Sequence, residues 1–295
     1  GIRFGDSLLE FRRLVFRSGG LIGILGYGFF QNAILAGILA SVACGIMGTY
    51  VVVKRMVSIS GGISHAAFGG VGLGYLLGID PIYGAFAFTT AISLFIGILS
   101  EKARESIDTL IAAMWAAGMA AGIIFISATP GYAPDLFSFL FGNILLVPTA
   151  DLFLMTVAVF FILAVVILLF KQLLAVTFDE EYAEIMNLPV TWLSLLLMVL
   201  IGVTVVMLIR IVGIILVIAL LALPAAISRN FCDNVGRMMV LSTGIGMIFT
   251  MGGLWLSYAL DIPSGATIIM CAVAGYVAVL GFGRLAKGNG RYSCD

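Results

Sequence analysis

Residues 177–190 read TFDEEYAEIMNLPV, a polar and acidic interruption between two long apolar runs at 152–170 and 191–209. Across the 295 residues, 62% are hydrophobic and 10% are charged, and the mean hydropathy is +1.20. A soluble domain has no means of hiding that much apolar surface, so the runs read as membrane spans. In such a chain an acidic amphipathic stretch needs a reason to exist. We read it as a docking element for a partner in the water.

Working outward, candidate spans fall at 29–53, 57–78, 81–99, 108–127, 152–170, 191–209, 211–228, 238–259 and 264–283. About 20 apolar residues cross the hydrocarbon core. The expected fold class is therefore all-α, a polytopic transmembrane helical bundle of 8–9 spans over 27–284, with a cytoplasmic tail at 285–295. No length is left for a soluble catalytic domain. A count of nine places Lys54 and Arg55, Glu101 to Glu105, Lys171 to Glu184, Arg229 to Arg237 and the tail on one side. Basic loops face the cytoplasm, so that side is the inner one. Residues 1–26 then fall outside, against the preference of Arg12, Arg13 and Arg17. SLLEFRRLVF, residues 7–16, suits a helix lying at the membrane surface, and Gly1 in place of Met leaves open that part of this segment is processed or not native.

Charge and cysteines narrow the function further. Fifteen basic and fifteen acidic residues give a formal net charge of zero, so no overall field points to nucleic acid. Cys44, Cys232, Cys271 and Cys294 have no CxxC spacing and read as structural thiols. The run from Thr191 to Ser228 is too long for one helix and is broken only at Arg210 and Gly213. A tight outer reversal there lets Arg210 snorkel to an interface, with a charge lining a path as the alternative. Between Ser127 and Asp151, Pro130, Pro134 and Pro148 surround FSFLFGNILLV, which reads as a re-entrant, interfacial or gate-like element.

The second span carries the only histidine, in GGISHAAFGGVGLGYLLG, residues 61–78. Gly62, Ala66, Gly70, Gly74 and Gly78 recur every four residues and make one helix face nearly bare of side chains. Such a face lets another backbone approach closely. His65 lies on the neighbouring row with Gly61 and Gly69, facing a seam or cavity. An ionisable side chain within a span is a functional candidate, and neutral imidazole is a common transition-metal ligand. The competing reading is a histidine hydrogen-bonded to Ser60, Ser64 or a carbonyl. One histidine makes no site alone; a twofold dimer would supply a second.

The stretch from Lys171 to Val190 reads as a helix of about one to three turns. Asp179 is its N-cap, Glu180 and Glu181 occupy the first turn, and Asn187 and Pro189 end it. Tyr182, Ala183, Ile185, Met186 and Leu188 cannot share one face, so some turn outward; an ordinary solvated loop is the alternative. No GxxxxGK[ST], HExxH or GxSxG occurs, and no carboxylates pair within the spans. The energy for uphill transport must come from another subunit or an ion gradient, and the scarcity of acidic residues in the spans weakens the gradient option.

Four segments resemble the permease subunits of ABC importers for zinc, manganese or iron: VVVKRMVSISGGISHAAFGGVGLGYLLG (51–78), DLFSFLFGNILLV (135–147) followed by Asp151, KQLLAVTFDEEYAEIMNLPV (171–190), and RIVGIILVIALLALPAAISR (210–229) with LSYALDIPSGATI (256–268). The likeness runs from about Phe30 to Gly283. It implies a type II ABC importer-like bundle in the plasma membrane of a bacterium or archaeon, a homodimer or paired permeases, with cytoplasmic ABC ATPase subunits and an extracytoplasmic metal-binding protein. It implies no permanently bound cofactor, the divalent metal ion being cargo, and no enzyme activity in this chain. In that family the loop after the fifth span docks the ATPase; Phe178, Asp179, Glu181, Ala183 and Pro189 occupy positions of its pattern, and Asn187 replaces its usual glycine. His65 matches the family's histidine as a pathway metal ligand, whereas Gly61 stands where many members carry an aspartate. A complete ligand shell would trap an ion that must be released. The expected cargo is zinc first, manganese or iron next, with alternating access at a dimer seam eased by the glycine-rich span. A permease for a siderophore or corrinoid chelate, and a membrane scaffold or channel, are the other readings.

Overall fold

The computed structural model describes residues 28–102, 107–130, 142 and 144–287, and all nine apolar stretches lie on helices within them. The helices are α1 (Gly28–Val53), α2 (Val57–Leu77), α3 (Pro81–Lys102), α4 (Ile107–Ala128), α5 (Thr149–Leu168), α6 (Phe170–Phe178), α7 (Glu180–Ile185), α8 (Val190–Val212), α9 (Ile214–Ser228), α10 (Val235–Leu260) and α11 (Ser264–Lys287), with a 3₁₀ turn at Ile144–Leu146. Residues 1–27, most of the loop after α4, the end of the tail and Cys294 lie outside the described residues, and so does the side chain of Arg210.

Seven helices, α1, α3, α4, α5, α8, α10 and α11, are long and apolar enough to cross a membrane. The other two expected spans fall short for separate reasons. Glycines, serines and His65 dilute the hydropathy of α2, and α9 has only 15 residues, roughly 22 Å of helix. Both are enclosed by protein: α2 packs against α3, α4 and α8, and α9 against α1, α8, α10 and α11. A helix screened from lipid by its neighbours is not held to the lipid-facing length and polarity.

Two groups of helices result, α2–α3–α4 and α1–α9–α10–α11, with α8 between them. Leu200, Ile201 and Val205 on α8 and Leu216, Leu220 and Leu221 on α9 are wholly enclosed. Lipid tails are as apolar as leucine, so close packing and interhelical hydrogen bonds hold such helices together. On α1, Gly48 lies against the Leu221 carbonyl and Gly45 against the Thr243 backbone. Ser41 and Thr250 join α1 to α10 through their hydroxyls at 3.2 Å.

The chain ends define two faces. On one, α1 stops with Arg55 in the left-handed region (φ 58) and Met56 N–H donating to Val51 O at 2.7 Å, a Schellman-type stop. Arg229 at the end of α9 donates to the Val52 carbonyl at 3.3 Å, and Lys54 Nζ lies 2.8 Å from Glu180 Oε1. The Lys54, Lys171–Glu184 and Arg229 loops therefore share a face. On the opposite face, α8 turns into α9 at Gly213 (φ 82, ψ 158), a conformation open to glycine. The backbone of Gly142 lies on this reversal, and Asn32 Nδ2 donates to Val147 O at 3.3 Å.

One boundary differs from the sequence reading. Lys171–Val190, expected as one helix of one to three turns, is divided at Asp179 into α6, on which Leu173 and Val176 are buried, and α7. Only α7 and its flanks stand apart as the polar element.

Candidate functional site

Three chemical features of the chain converge on two places, a seam between α2 and α4 and the face around α7. In the seam the helices run parallel, both leaving the Lys54 face. Cβ atoms are missing where the backbones meet: a Cβ on Gly72 would stand 2.5 Å from Gly122 O, and one on Gly118 would stand 2.5 Å from Ala66 Cα. Gly62 meets Ile111, while Gly70 and Gly74 turn toward Gly84 and Pro81 of α3, and Gly78 (φ 68) caps α2. The glycine row is thus occupied within the chain by α3 and α4. It is not the free dimer seam expected from sequence, because a row of i+4 steps drifts around the helix and meets two neighbours in turn.

His65 stands on the next row, half-buried, and stacks on Trp115 of α4 with ring centroids 4.1 Å apart and planes 10° from parallel. Its Nδ1 is buried and makes no hydrogen bond among the described residues. Ser60 Oγ donates to Val57 O at 2.9 Å and Ser64 Oγ to Ser60 O at 2.7 Å, so neither serine takes the histidine as its acceptor. One turn earlier, a Cβ on Gly61 would meet no atom within 4 Å. Among the described residues, no three of His, Cys, Asp and Glu come together to hold a metal ion. The seam therefore offers one imidazole beside open space, suited to passing contact rather than retention. Trp115 went unnoticed in the sequence; its place eight residues into α4, level with His65 eight residues into α2, is the only register signal.

At the other place α7 is short and sharply bounded. Asp179 accepts the Tyr182 N–H at 3.0 Å, an N-cap worth about 1 kcal/mol. Asn187, at φ 56, ends it: its N–H donates to Glu184 O at 2.9 Å and that of Leu188 to Ala183 O at 3.0 Å. Asn tolerates this left-handed position better than most side chains. Ala183 is fully buried and seats α7 on the body, and Pro189 precedes the first residue of α8. Phe178, Tyr182, Ile185 and Met186 are exposed, Ile185 to 76%. Glu181 is exposed beside them. Glu180, which the sequence marked only as a first-turn acid, holds Lys54, and Lys54 Nζ also donates to Ser194 Oγ at 3.0 Å. That ammonium is mostly enclosed, with 15% of the side chain exposed.

Cys44, Cys232 and Cys271 form no disulfide among the described residues. A cleft of about 100 Å³ lies between α2, α3 and α8 near their outer ends, bounded by Val71, Tyr75, Asp80 and Val206.

Known proteins are similar to this chain. An uncharacterized membrane protein of Synechocystis is 47% identical over 264 residues, 90% of this chain and 94% of its own. The manganese transport system membrane protein MntC of Listeria innocua is 32% identical over 252 residues, covering 85% of this chain and 90% of its own. Among solved structures, PsaBC from Streptococcus pneumoniae in complex with Fab superposes with a TM-score of 0.80 at 31% identity, covering 92% of this chain and 95% of that one. The model of the ABC 3 transport family matches residues 26–283, nearly the whole helical bundle just described, and the chain belongs to that family.

Proposed function

We propose that the chain forms the membrane path of an ATP-driven importer for divalent transition metal ions, manganese first and zinc or iron next. It is a transport subunit and no enzyme; ATP hydrolysis belongs to a separate ATPase subunit. The order of metals expected from sequence changes here, because several relatives, among them MntC of Listeria innocua and ScaB of Streptococcus gordonii, are named for manganese. What carries the reading is the membership of the family over residues 26–283. The geometry adds two supports. The exposed apolar side chains of Phe178, Tyr182 and Ile185 stand on a capped helix at the face of the basic loops, a surface suited to an ATPase cleft. His65 borders open space at mid-helix, where a single imidazole can hand an ion on.

The chain works as a homodimer in the plasma membrane, receives its ion from an extracytoplasmic binding protein, and moves its helices when the ATPase displaces α7. A siderophore or corrinoid chelate fits less well, since the α2–α4 seam is closed by backbone contact at Gly72 and the outer cleft holds about 100 Å³. The test is uptake of Mn²⁺ and Zn²⁺ into proteoliposomes containing permease and ATPase, supplied with metal-loaded binding protein. His65→Ala is expected to lower uptake while the ATPase still co-purifies. Uptake at the parent rate in that variant removes histidine from the mechanism, and absence of metal-stimulated ATP hydrolysis in the parent removes the importer.

A further inference from the structure

The contact between His65 and Trp115 has a consequence for how the imidazole meets an ion. A histidine that ligates metal through one nitrogen usually has its ring plane set by a hydrogen bond at the other. At His65 that bond is missing among the described residues: Nδ1 is buried without a partner there, and the hydroxyls of Ser60 and Ser64 are given to carbonyls of their own helix. The residue one turn earlier is Gly61, which has no side chain to orient the ring. What does touch the ring is the indole of Trp115, parallel to within 10° at 4.1 Å.

We infer that Trp115 is a positioning residue for His65: the indole holds the imidazole in one plane, so that Nε2 is the nitrogen offered to a divalent metal ion. The inference rests on His65 being a pathway ligand, as proposed above. Its physical basis is the direction of the lone pair. The Nε2 lone pair lies in the ring plane, so an ion approaches the edge while Trp115 occupies a face, and the two do not compete. Because Nδ1 is the enclosed nitrogen, Nε2 is the one left for the seam. The indole is itself 42% exposed, and it covers one face of the imidazole ring. A parallel aromatic contact needs no hydrogen bond to an anion, and it orients the imidazole without adding a second ligand that would hold the ion.

The test uses the full permease in nanodiscs with Trp192 and Trp255 replaced by Phe, so that Trp115 is the only tryptophan and is excited selectively at the red edge of indole absorption. Co²⁺ titration is expected to quench Trp115 emission saturably, and His65→Ala is expected to abolish that quenching. Mn²⁺ affinity, read by electron paramagnetic resonance of the free ion, is expected to stay within twofold in Trp115→Phe, which keeps an aromatic face. In Trp115→Leu it should weaken roughly three- to tenfold, the size of one aromatic contact, and uptake should fall with it. Parent affinity and uptake in Trp115→Leu, with both lowered in His65→Ala, overturn the positioning role and leave the histidine reading standing. Parent values in His65→Ala overturn the histidine reading and this inference with it. Should Trp115→Leu fail to fold, the quenching titration decides without it: emission that Co²⁺ leaves unchanged, or quenches equally in His65→Ala, overturns the inference.

Discussion

Lys54 Nζ sits between Glu180 Oε1 at 2.8 Å and Ser194 Oγ at 3.0 Å, so one ammonium joins the end of α1, the acidic helix α7 and the start of α8. Lys54 is also three residues from the start of α2, the helix that carries His65. Lys54 thus ties α7 to the segment that leads into the histidine helix. An exposed ion pair contributes about 1 kcal/mol or less, but removing Glu180 leaves Lys54 enclosed and uncompensated, which costs more.

This pair predicts a rescue. Lys54→Glu and Glu180→Lys should each lower metal uptake per ATP hydrolysed, and the double exchange should recover at least half of the parent ratio. Uptake and hydrolysis measured together in proteoliposomes check it. Loss in the double variant equal to the sum of the single losses would mean that the pair carries no coupling.

The face of α7 predicts a separable loss of ATPase binding. Ile185 is 76% exposed and supports no core contact of note, so Ile185→Glu should leave the permease folded while reducing the ATPase that co-purifies with it. Charge reversal at Asp179 and Glu181 should uncouple hydrolysis from transport, with an added loss of about 1 kcal/mol of helix stability from the Asp179 cap. Equal ATPase yield in the Ile185 variant argues against docking through this face.

The stop of α7 predicts an inverted ranking of substitutions at one residue. Asn187 adopts φ 56, where a β-carbon costs on the order of 1 kcal/mol and glycine is at ease. Asn187→Gly should match or exceed the parent in thermal stability and ATPase binding, while Asn187→Ala should fall below it. Thermal unfolding followed by size-exclusion chromatography reads the order.

Two glycines about three turns apart on α2 should respond in opposite ways. Gly72→Ala places a Cβ 2.5 Å from the Gly122 carbonyl and should destabilise by about 1–3 kcal/mol through overpacking. Gly61→Ala meets nothing within 4 Å and should be tolerated.

The same open space makes Gly61→Asp informative. A carboxylate one turn before His65 would give the ion a second partner, so Mn²⁺ should bind on the order of tenfold more tightly and leave more slowly. The expected result is higher equilibrium binding with lower uptake turnover. Uptake that rises in step with binding would show that release does not limit transport.

Local chemistry made much of the architecture legible. All nine apolar runs became helices, because hydropathy over some 20 residues and the caps at helix ends are properties of the segment itself. Asp179, Asn187 and Gly213 mark helix ends in the structure through their own backbone preferences, which no distant residue needs to supply. The acidic interruption at 177–190 stands out in sequence for the same reason, as a charge contrast with its neighbours.

Contacts between distant segments were decided only by the tertiary fold. Nothing local distinguishes Glu180 from Glu181, yet Glu180 alone meets Lys54, because the end of α1 is brought beside α7. The glycine row of α2 announced close approach without naming the approaching helix; α3 and α4 share it, since the row turns from one to the other. Trp115 reads in sequence as one more apolar residue of a span, and only the parallel register of α2 and α4 lays its ring on His65. Helix formation is set by neighbours in the chain, whereas pairing of side chains depends on which helix faces arrive together.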